Sequence, residues 1–510
     1  MKILLAGPGT GKTTSIKKII ESKSGIASVL VISFTNATVE DLKKSLSPIG
    51  LPFENCMTLH KFAVKYNHDK TRHVLDMLEF GELLKIAKVT EIGFSNLCDY
   101  LSATTFDQMI ARFVSYAKAN PEYLKDRLSK YSVLIVDEYQ DFNKNEQELI
   151  DLLVGNISET YILGDDDQCI YDFKDADNTK IISLHSDAAH ETIEHEHKCY
   201  RCPDIVVDSA TYLIRNNTRR VDKKWEKTGK AGNLIQKQFL SNANTSEYIL
   251  EEVKRILETT TEDKVLILSP VSFFVENIAE KLIDSGIDYR NYFIAKVDTQ
   301  LIIKSWVLRM LFGKYKYLNL ILIGYKVLTT RKKFYETIKK QYATGKNLDE
   351  LFDIVKSKMP PESKGTYNDV ATALQDPYFQ HLADYFNKAE GENDDEKLEN
   401  LFVLVGEDVE KRVSIMSIHK SKGLGAEHVF MVGLIEGIIP NRAKGNDTIE
   451  SQRRLFYVGM TRAKKDLHLI SSINLEGKYV NKVNKDDFKF DTRSRLWKGK
   501  ASRFVEEINC

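Results

Sequence analysis

Residues 3–14 read ILLAGPGTGKTT. The apolar run 3–6 meets a loop with three glycines, and an amphipathic stretch follows at residues 15–20. This order of strand, glycine loop and helix is typical of a P-loop, in which backbone N–H groups surround phosphate oxygens at the positive end of a helix. The stretch therefore predicts a phosphate-binding loop, with Lys12 on the β- and γ-phosphates and the Thr13 hydroxyl on Mg²⁺.

A second apolar run, residues 132–136, ends in two carboxylates, Asp137 and Glu138. A carboxylate at the C-terminal end of a buried strand suits the metal of a P-loop site, and its neighbour can orient the attacking water. We therefore predict Asp137 as a metal ligand and Glu138 as the residue that orients water. An acidic pair after a strand is, on its own, more often a helix N-terminal cluster. The P-loop in the same chain favours the catalytic interpretation.

A third apolar run, residues 161–163, leads into GDDDQCIYDF at 164–173. Gln168 stands where a side-chain amide can sense a γ-phosphate. Tyr171 and Phe173 follow, and the pattern alone favours core or loop packing for both aromatic side chains over contact with a second ligand.

Composition limits the other classes of protein. The chain has 510 residues, enough for about three to four domains. Lys plus Arg number 73 and Asp plus Glu number 73, so the formal net charge is zero and any phosphate-binding surface must be local. Six scattered cysteines do not make a secreted disulfide scaffold, and no apolar run approaches the about 18 residues of a membrane span. We expect a soluble, cytoplasmic protein without a membrane partner.

Further motifs follow the P-loop in a definite order along the chain. They are SFTNAT (33–38), TLHKFA (58–63), DEYQD (137–141), GDDDQCIYDF (164–173), YR (200–201), SIMSIHKSKGL (414–424), RRLFYVGMTRAK (453–464) and SRF (502–504). This ordered set resembles the motifs of the UvrD/Rep/PcrA family of superfamily 1A DNA helicases, and the resemblance covers most of the chain.

The resemblance implies an α/β fold with two RecA-like P-loop lobes, each built on a parallel sheet and each carrying a mainly helical insertion. The implied division is lobe 1A at 1–65 and 128–193, insertion 1B at 66–127, lobe 2A at 194–291 and 401–472, insertion 2B at 292–400 and a C-terminal extension at 473–510. The extension is polar and rich in Lys, so we expect it to be only partly ordered.

The resemblance also implies ATP and Mg²⁺ in the cleft between the lobes, where cations from the second lobe stabilise transition-state charge. Arg201 and Arg462 match the positions of these cations, and Arg462 is the better candidate for an arginine finger. For each of them the alternative is a surface salt bridge. The implied catalytic residues are Lys12, Glu138, Gln168, Arg201 and Arg462. The implied nucleotide-binding residues are Gly7, Pro8, Gly9, Thr10, Gly11, Lys12, Thr13, Thr14, Tyr200 and Glu427, with Thr13 and Asp137 on the metal.

For DNA, the resemblance implies aromatic side chains that stack on bases, a contact that ignores base sequence. Phe34, Tyr171 and Phe173 match those positions. His60 and His419, taken singly, are more often structural histidines than ligands. The remaining implied DNA-binding residues are Thr35, Asn36, Thr58, His60, Ser417 and His419.

Four features depart from the family pattern. No glutamine motif precedes the P-loop, Thr14 replaces a frequent Arg, and Gly425 replaces a Glu that contacts the ribose. These three concern the base and the sugar, so we predict weak discrimination among ATP, dATP and GTP. Cys199 and Cys202 replace Asn and Ser beside Arg201. We interpret both thiols as packing residues, because a metal site would need two further ligands.

The function implied by the resemblance is an ATP-dependent DNA helicase that moves 3′ to 5′ on single-stranded DNA, with single-stranded and tailed duplex DNA as partners. The alternative is an ATPase that senses DNA ends and assists a separate nuclease subunit, with little unwinding of its own. Compact UvrD-like subunits occur beside nuclease subunits in two-component phage-defence systems such as Gabija. A strand-displacement assay on a 3′-tailed duplex distinguishes the two.

Overall fold

The computed structural model describes residues 1–195, 197–223, 225–293, 299–313, 315–356, 358, 369–389, 394, 397–398, 401, 411–441, 449–480, 483 and 487–508. The chain forms two compact units. Unit 1 comprises Met1–Lys65, Ala117–Ile294 and Glu410–Cys510, and unit 2 comprises Tyr66–Tyr116 and Ala295–Val409. Of the helices in the described ranges, none has the length and apolar character needed to cross a membrane.

The strands are short, as is common in α/β proteins. They are Lys2–Leu5 (β1), Val29–Ser33 (β2), Cys56–Thr58 (β3), His73–Val74 (β4), Ala103–Thr104 (β5), Val133–Val136 (β6), Glu159–Gly164 (β7), Glu191–Thr192 (β8), Asn233–Phe239 (β9), Val265–Ser269 (β10), Tyr289–Asn291 (β11), Val413–Ser417 (β12), Ala426–Met431 (β13), Ala463–Ser472 (β14), Asn474–Leu475 (β15), Lys489–Asp491 (β16) and Leu496–Lys498 (β17).

The helices alternate with the strands in unit 1 and dominate unit 2. They are Lys12–Glu21 (α1), Asn36–Leu46 (α2), Leu59–Tyr66 (α3), Met77–Thr90 (α4), Phe94–Tyr100 (α5), Phe106–Ala119 (α6), Pro121–Leu128 (α7), Lys144–Asn156 (α8), Thr179–Ser186 (α9), Asp204–Ile214 (α10), Asn242–Thr259 (α11), Glu276–Asp284 (α12), Thr299–Leu311 (α13), Lys316–Val327 (α14), Lys332–Ala343 (α15), Asp349–Lys356 (α16), Val370–Leu374 (α17), Ala383–Lys388 (α18), Ile449–Met460 (α19), Gly477–Val480 (α20) and Arg503–Glu507 (α21).

The first sheet of unit 1 has the strand order β3-β2-β6-β7-β1-β8, and every pair is parallel. Its central strands are continuous apolar runs, as parallel strands covered by helices on both faces must be. β2 and β6 are buried along their full length. The carboxyl ends of parallel strands share one edge, so the P-loop after β1, the carboxylates after β6 and the segment after β7 meet there.

The second sheet of unit 1 has the order β11-β12-β10-β13-β14-β9 and is also parallel throughout. We call the parts of unit 1 built on the two sheets the first lobe and the second lobe. The α/β class with two parallel sheets, predicted from the sequence, is confirmed.

Unit 2 has one apolar core, to which both predicted insertions contribute. Leu83 and Ile86 of α4 lie in the same buried cluster as Trp306 of α13 and Leu320 of α14. The two insertions therefore form a single folded body in unit 2. The helix α7, which the sequence assigned to insertion 1B, belongs to unit 1.

A buried ionic network joins the two halves of this core. Glu79 is fully buried, and its Oε1 accepts hydrogen bonds from Trp306 Nε1 at 3.2 Å and from the Arg309 guanidinium. Its Oε2 lies 2.6 Å from His73 Nε2. Burial alone would raise the pKa of Glu79, but His73 and Arg309 outweigh it, and the pKa is held well below its usual range.

The described part of the C-terminal segment, residues 473–480, 483 and 487–508, is more ordered than its composition suggested. β15, β17 and β16 form an antiparallel sheet, and α21 buries Phe504 in the core of the second lobe. The Ser502 side chain caps α21 through the N–H of Phe504. Strands of two or three residues leave almost no periodic signal, so composition suggested a loose tail where pairing makes a folded one.

Candidate nucleotide and nucleic-acid site

The P-loop leaves β1 after Leu5 and enters α1 at Lys12. Gly9 and Gly11 have φ values of 73° and 89°, the left-handed region that glycine adopts without steric cost. The Thr10 hydroxyl donates a 2.8 Å hydrogen bond to the Gly7 carbonyl and tightens the turn. Because the N-cap residue Gly11 has no side chain, it makes no side-chain hydrogen bond to the N–H groups of the first helical turn.

Lys12 reaches from the P-loop to the carboxylates that follow β6. Its Nζ contacts Glu138 Oε1 and lies 3.3 Å from Asp137 Oδ1. Burial alone would raise the pKa of Glu138, but the charges of Lys12 and Lys422 outweigh it and lower the pKa to about 2. Glu138 also has φ 56°, a strained conformation for a residue with a side chain, which aims its carboxylate at the P-loop.

Asp137 fits the predicted metal role. It is buried, and its Oδ1 accepts no hydrogen bond within the described residues, although Lys12 lies close enough for an ionic contact. Ser33 Oγ donates to the other oxygen at 3.5 Å. Thr13, the second predicted ligand, lies exposed in the first turn of α1. A carboxylate and a hydroxyl are ligands that Mg²⁺ favours, and the ion would bring positive charge to bound phosphates.

A chain of hydrogen bonds runs from Glu138 to Arg462 in the second lobe. Gln140 Nε2 donates to Glu138 Oε2 at 2.6 Å, and Asp165 N donates to Gln140 Oε1 at 2.9 Å. Gln168 Nε2 donates to Asp165 Oδ2 at 2.7 Å. Finally, Arg462 Nη2 donates to Gln168 Oε1 at 3.2 Å. The residue predicted to orient water is thus physically linked to the predicted arginine finger.

Arg462 is not a surface salt bridge. Only 1% of it is exposed, and its Nε donates to Val458 O at 2.8 Å while Nη1 donates to Leu424 O at 3.2 Å. Burial and the nearby charge of Arg201 lower the pKa of Arg462 to about 9. A guanidinium that has another positive charge nearby and little negative charge around it is suited to bind an anion.

Arg201 and Tyr200 lie against the P-loop. The Tyr200 N–H donates to the Gly9 carbonyl at 2.9 Å. A Cβ on Gly9 would lie 2.5 Å from Arg201 Cβ, so only glycine permits this approach. The Tyr200 side chain is 60% exposed, which leaves its ring free to stack on a base. A Cβ on Gly425 would lie 3.7 Å from Arg201 Cδ, so that position also borders the site.

Glu427 is engaged away from the P-loop. Its Oε1 pairs with Lys464 at 3.0 Å, and its Oε2 accepts from the Lys264 N–H at 3.0 Å. The nucleotide contact predicted for Glu427 would require this pairing to break. Thr14 is exposed at the start of α1, and Pro8 is buried.

Two residues at the P-loop were not predicted from the sequence. His195 Nε2 lies 3.0 Å from both the carbonyl and the hydroxyl oxygen of Thr10. Trp225 covers Gly7, where a Cβ would lie only 2.1 Å from the indole. Both residues are remote from the P-loop in sequence and stand in no recognised motif, so no local signal could have found them.

Lys422, inside a recognised motif but given no role, links the lobes at the carboxylates. Its Nζ donates to Asp141 and, at 2.6 Å, to the Gln168 carbonyl. It also lies 3.9 Å from Glu138 Oε2. Burial raises the pKa of Asp141 to about 7, and the Lys422 charge only partly offsets it.

The three consecutive carboxylates of residues 165–167 lie close enough together to hold a metal ion, but the ammonium group of a buried lysine occupies the space between them. Lys223, only 2% exposed, lies 3.1 Å from Asp165 Oδ1 and 2.9 Å from Asp167 Oδ2, and it contacts Asp166. Arg220 makes two further bonds to Asp167, at 3.0 and 2.9 Å. This cluster therefore fastens the segment before Trp225 to the loop that carries Gln168.

A row of aromatic rings crosses from the first lobe to the second. Phe34 lies 5.2 Å from Tyr171, Tyr171 lies 5.9 Å from Phe173, and Phe173 lies 5.5 Å from His419, measured between ring centroids. Phe173 is 67% exposed. Burial lowers the pKa of His419 to about 4, so this ring is neutral at pH 7. The structure thus brings together four residues predicted to bind DNA.

Of the other five residues predicted to bind DNA, four have structural partners. His60 Nε2 lies 2.9 Å from Glu146 Oε1, and Thr58 Oγ1 accepts from Lys61 N at 3.1 Å. Thr35 caps α2 through a reciprocal pair with Thr38. Ser417 Oγ accepts from Lys420 N at 3.3 Å, and Asn36 is exposed at the start of α2.

Comparison with known proteins yields two family matches and several relatives. Residues 82–189 match the UvrD/REP helicase N-terminal domain, and residues 297–474 match the UvrD-like helicase C-terminal domain. The chain is 27% identical over 439 residues to the ATP-dependent DNA helicase Rep of Buchnera aphidicola. The aligned region covers 71% of this chain and 66% of that protein.

Two further relatives have related names. The chain is 23% identical over 585 residues to DNA helicase II of Rickettsia typhi, covering 92% of this chain and 89% of that protein. It is 22% identical over 433 residues to the ATP-dependent DNA helicase PcrA of Leuconostoc citreum, covering 72% and 58%. The chain thus spans less than two thirds of the length of the Rep and PcrA relatives. With both family domains matched in chain order over two parallel-sheet lobes, the chain belongs to the UvrD-like helicase family.

Proposed function

We propose that the chain is an ATP-dependent DNA helicase that moves 3′ to 5′ along single-stranded DNA. The observation that carries the proposal is the hydrogen-bonded path from Glu138 through Gln168 to Arg462. A path that joins the P-loop carboxylates to the second lobe lets the state of a nucleotide set the contact between the lobes. Relatives named ATP-dependent DNA helicases support this choice of activity.

Each residue of the path has a role that follows from its chemistry. Lys12 and the P-loop N–H groups bind the phosphates, and entry of a phosphate draws the Lys12 ammonium away from the carboxylates it now contacts. Glu138, with its pKa lowered to about 2, is ionised at pH 7 and can orient an attacking water by accepting a hydrogen bond from it. Arg201 and Arg462 supply positive charge from the second lobe.

The aromatic row couples this cycle to DNA. Phe173 belongs to the first lobe and His419 to the second. A movement of one lobe relative to the other therefore changes the 5.5 Å separation of their rings. Stacked bases would be gripped by one lobe and then the other. We expect the partners to be single-stranded and tailed duplex DNA and the site of action to be the cytoplasm.

Strand displacement by the isolated chain tests the proposal. With ATP and Mg²⁺, we expect it to separate a duplex with a 3′ single-stranded tail and to leave a 5′-tailed duplex paired. The matched control is Glu138→Gln, which keeps the shape of the side chain and should displace nothing. DNA-stimulated hydrolysis without strand displacement would contradict the helicase proposal and favour an ATPase that senses DNA ends and assists a nuclease.

A further inference from the structure

Two cysteines flank Arg201 and contact both lobes. The Cys199 thiol donates to the Pro8 carbonyl of the P-loop at 3.2 Å. The Cys202 thiol donates to the Thr461 carbonyl at 3.4 Å, next to the second cleft arginine. These thiols therefore do more than fill space, because each is a hydrogen-bond donor to a loop that forms the nucleotide site.

The two sulfur atoms are also close to each other. The Cys202 N–H donates to Cys199 Sγ at 3.4 Å, and the two thiols lie within hydrogen-bonding reach. The pair immediately precedes α10, whose first residue is Asp204. A Cys-x-x-Cys turn before a helix brings its sulfurs within reach of a disulfide and favours the thiolate of the first cysteine.

The thiols differ in acidity in the direction that thiol–disulfide exchange needs. The Cys202 thiol, backbone N–H groups and Arg201 lower the pKa of Cys199 to about 6, although burial opposes the shift. The hydrogen bond to Cys199 and burial raise the pKa of Cys202. Cys199 is thus the nucleophile of the pair at pH 7, and Cys202 is its resolving partner.

We propose that Cys199 and Cys202 form a reversible disulfide that inhibits the nucleotide hydrolysis proposed above. The oxidant is a low-molecular-weight disulfide. The Cys199 thiolate attacks one of its sulfurs, forms a mixed disulfide and releases one thiolate. Cys202, on losing its proton, then attacks Cys199 and releases the second thiolate. The protein loses two electrons and two protons, and the oxidant is reduced to two thiols.

Inhibition follows from the contacts that the disulfide removes. In the disulfide the Cys202 sulfur keeps no hydrogen, so the Thr461 carbonyl next to Arg462 loses its donor. The turn between the cysteines holds Arg201, whose Cβ packs on the backbone of Gly9 without room for a methyl group. A shift of this turn therefore displaces Arg201, the P-loop, or both.

The same contacts make oxidation depend on nucleotide. Cys199 and Cys202 are 2% and 1% exposed, so an oxidant reaches them only when the contacts between the lobes open. A nucleotide bound across the lobes holds those contacts closed. We therefore expect a non-hydrolysable ATP analogue with Mg²⁺ to slow disulfide formation by about tenfold or more.

The test uses the full chain treated with glutathione disulfide. Trypsin cleaves after Lys198 and after Arg201, so the disulfide would link peptides 199–201 and 202–215 in a non-reducing digest. We expect the linked peptides, about a tenfold loss of DNA-stimulated ATP hydrolysis, and recovery of both with dithiothreitol. Absence of the linked peptides, a stable glutathione adduct instead, or linked peptides with unchanged hydrolysis would each overturn the proposal.

Variants separate this pair from other thiols. Cys199→Ser removes the thiolate that attacks the oxidant, so it should remove the effect of the oxidant, when each variant is compared with its own reduced form. Cys98→Ser is the matched control and should keep the effect, because burial raises the pKa of Cys98 to about 11 and it lies in unit 2. If Cys199→Ser fails to fold, the wild-type digest still decides. A reduced chain that forms the disulfide but never hydrolyses ATP contradicts the proposed function and leaves the disulfide itself established.

Discussion

Arg462 of the second lobe donates a hydrogen bond to Gln168 of the first, from Nη2 to Oε1 at 3.2 Å. The same glutamine donates through Nε2 to Asp165, which continues toward Glu138. A single amide thus ties the guanidinium to the carboxylate predicted to orient water. The amide nitrogen donates to Asp165 and the amide oxygen accepts from Arg462. No other type of side chain of this size could serve both partners.

Removal of this amide should slow catalysis more than it weakens binding. We expect Gln168→Ala to lower kcat about 10- to 100-fold, about 1.4 to 2.7 kcal/mol, because Arg462 is no longer fixed while the P-loop is untouched. Steady-state hydrolysis with saturating DNA measures it. Gln341→Ala, which removes a buried amide of unit 2, is the control and should leave kcat unchanged. A Gln168→Ala variant with raised KM and normal kcat would contradict the coupling.

The P-loop lysine and its carboxylate partner should be essential for turnover. We expect Lys12→Ala and Glu138→Gln to reduce ATP hydrolysis by about 100-fold or more, while single-stranded DNA still binds through the aromatic row. Lys17→Ala, on the exposed side of α1, is the control. Persistent DNA-stimulated hydrolysis in either variant would contradict the assignment. Lys12→Ala also leaves two buried carboxylates without their cation, so its folding should be checked by thermal unfolding.

The exposed aromatic ring at the end of the row should matter for DNA and not for folding. We expect Phe173→Ala to weaken binding of single-stranded DNA by about 1–3 kcal/mol, the worth of one stacked base, with little change in Tm because the ring is 67% exposed. Fluorescence anisotropy with a labelled oligonucleotide measures it. Phe490→Ala, which removes a similarly exposed ring from β16, should bind normally. Equal affinities for both variants would remove Phe173 from the DNA site.

The buried network around Glu79 predicts that the stability of unit 2 depends on the Glu79 side chain and on pH. Glu79→Ala leaves Arg309 buried without its carboxylate, at a cost of about 3–5 kcal/mol. Because the pKa of Glu79 is lower in the folded chain than in the unfolded one, its contribution is present at neutral pH and is lost as pH falls below the unfolded value of about 4.3.

Hydrogen exchange at pH 7 and at pH values below about 4 measures this effect locally. The exposed Glu350→Ala, on α16, is the control and should behave as the unsubstituted chain. Because α4 and α13 share one core, their amide protection should fall together in Glu79→Ala. Loss of protection in one helix alone would mean that the two insertions are not one folded body.

The sequence predicted the elements whose signal is contiguous. The P-loop, Asp137 after β6 and Gln168 after β7 each follow an apolar strand directly, and parallel strands bring their carboxyl ends together. The sequence could not predict His195, Trp225 or Lys223 at their positions, because each finds its partners far along the chain. The shared core of unit 2 was also hidden, since an apolar helix face does not reveal what covers it.

The central claim is that residues of both lobes contact the bound nucleotide. Its most direct test is single-turnover ATP hydrolysis by Arg462→Ala in the presence of single-stranded DNA. We predict a rate lower by about 100-fold or more than that of the unsubstituted chain, with ATP affinity changed by only a few-fold, because Arg462 acts on charge that develops in the transition state. An unchanged single-turnover rate would contradict the account.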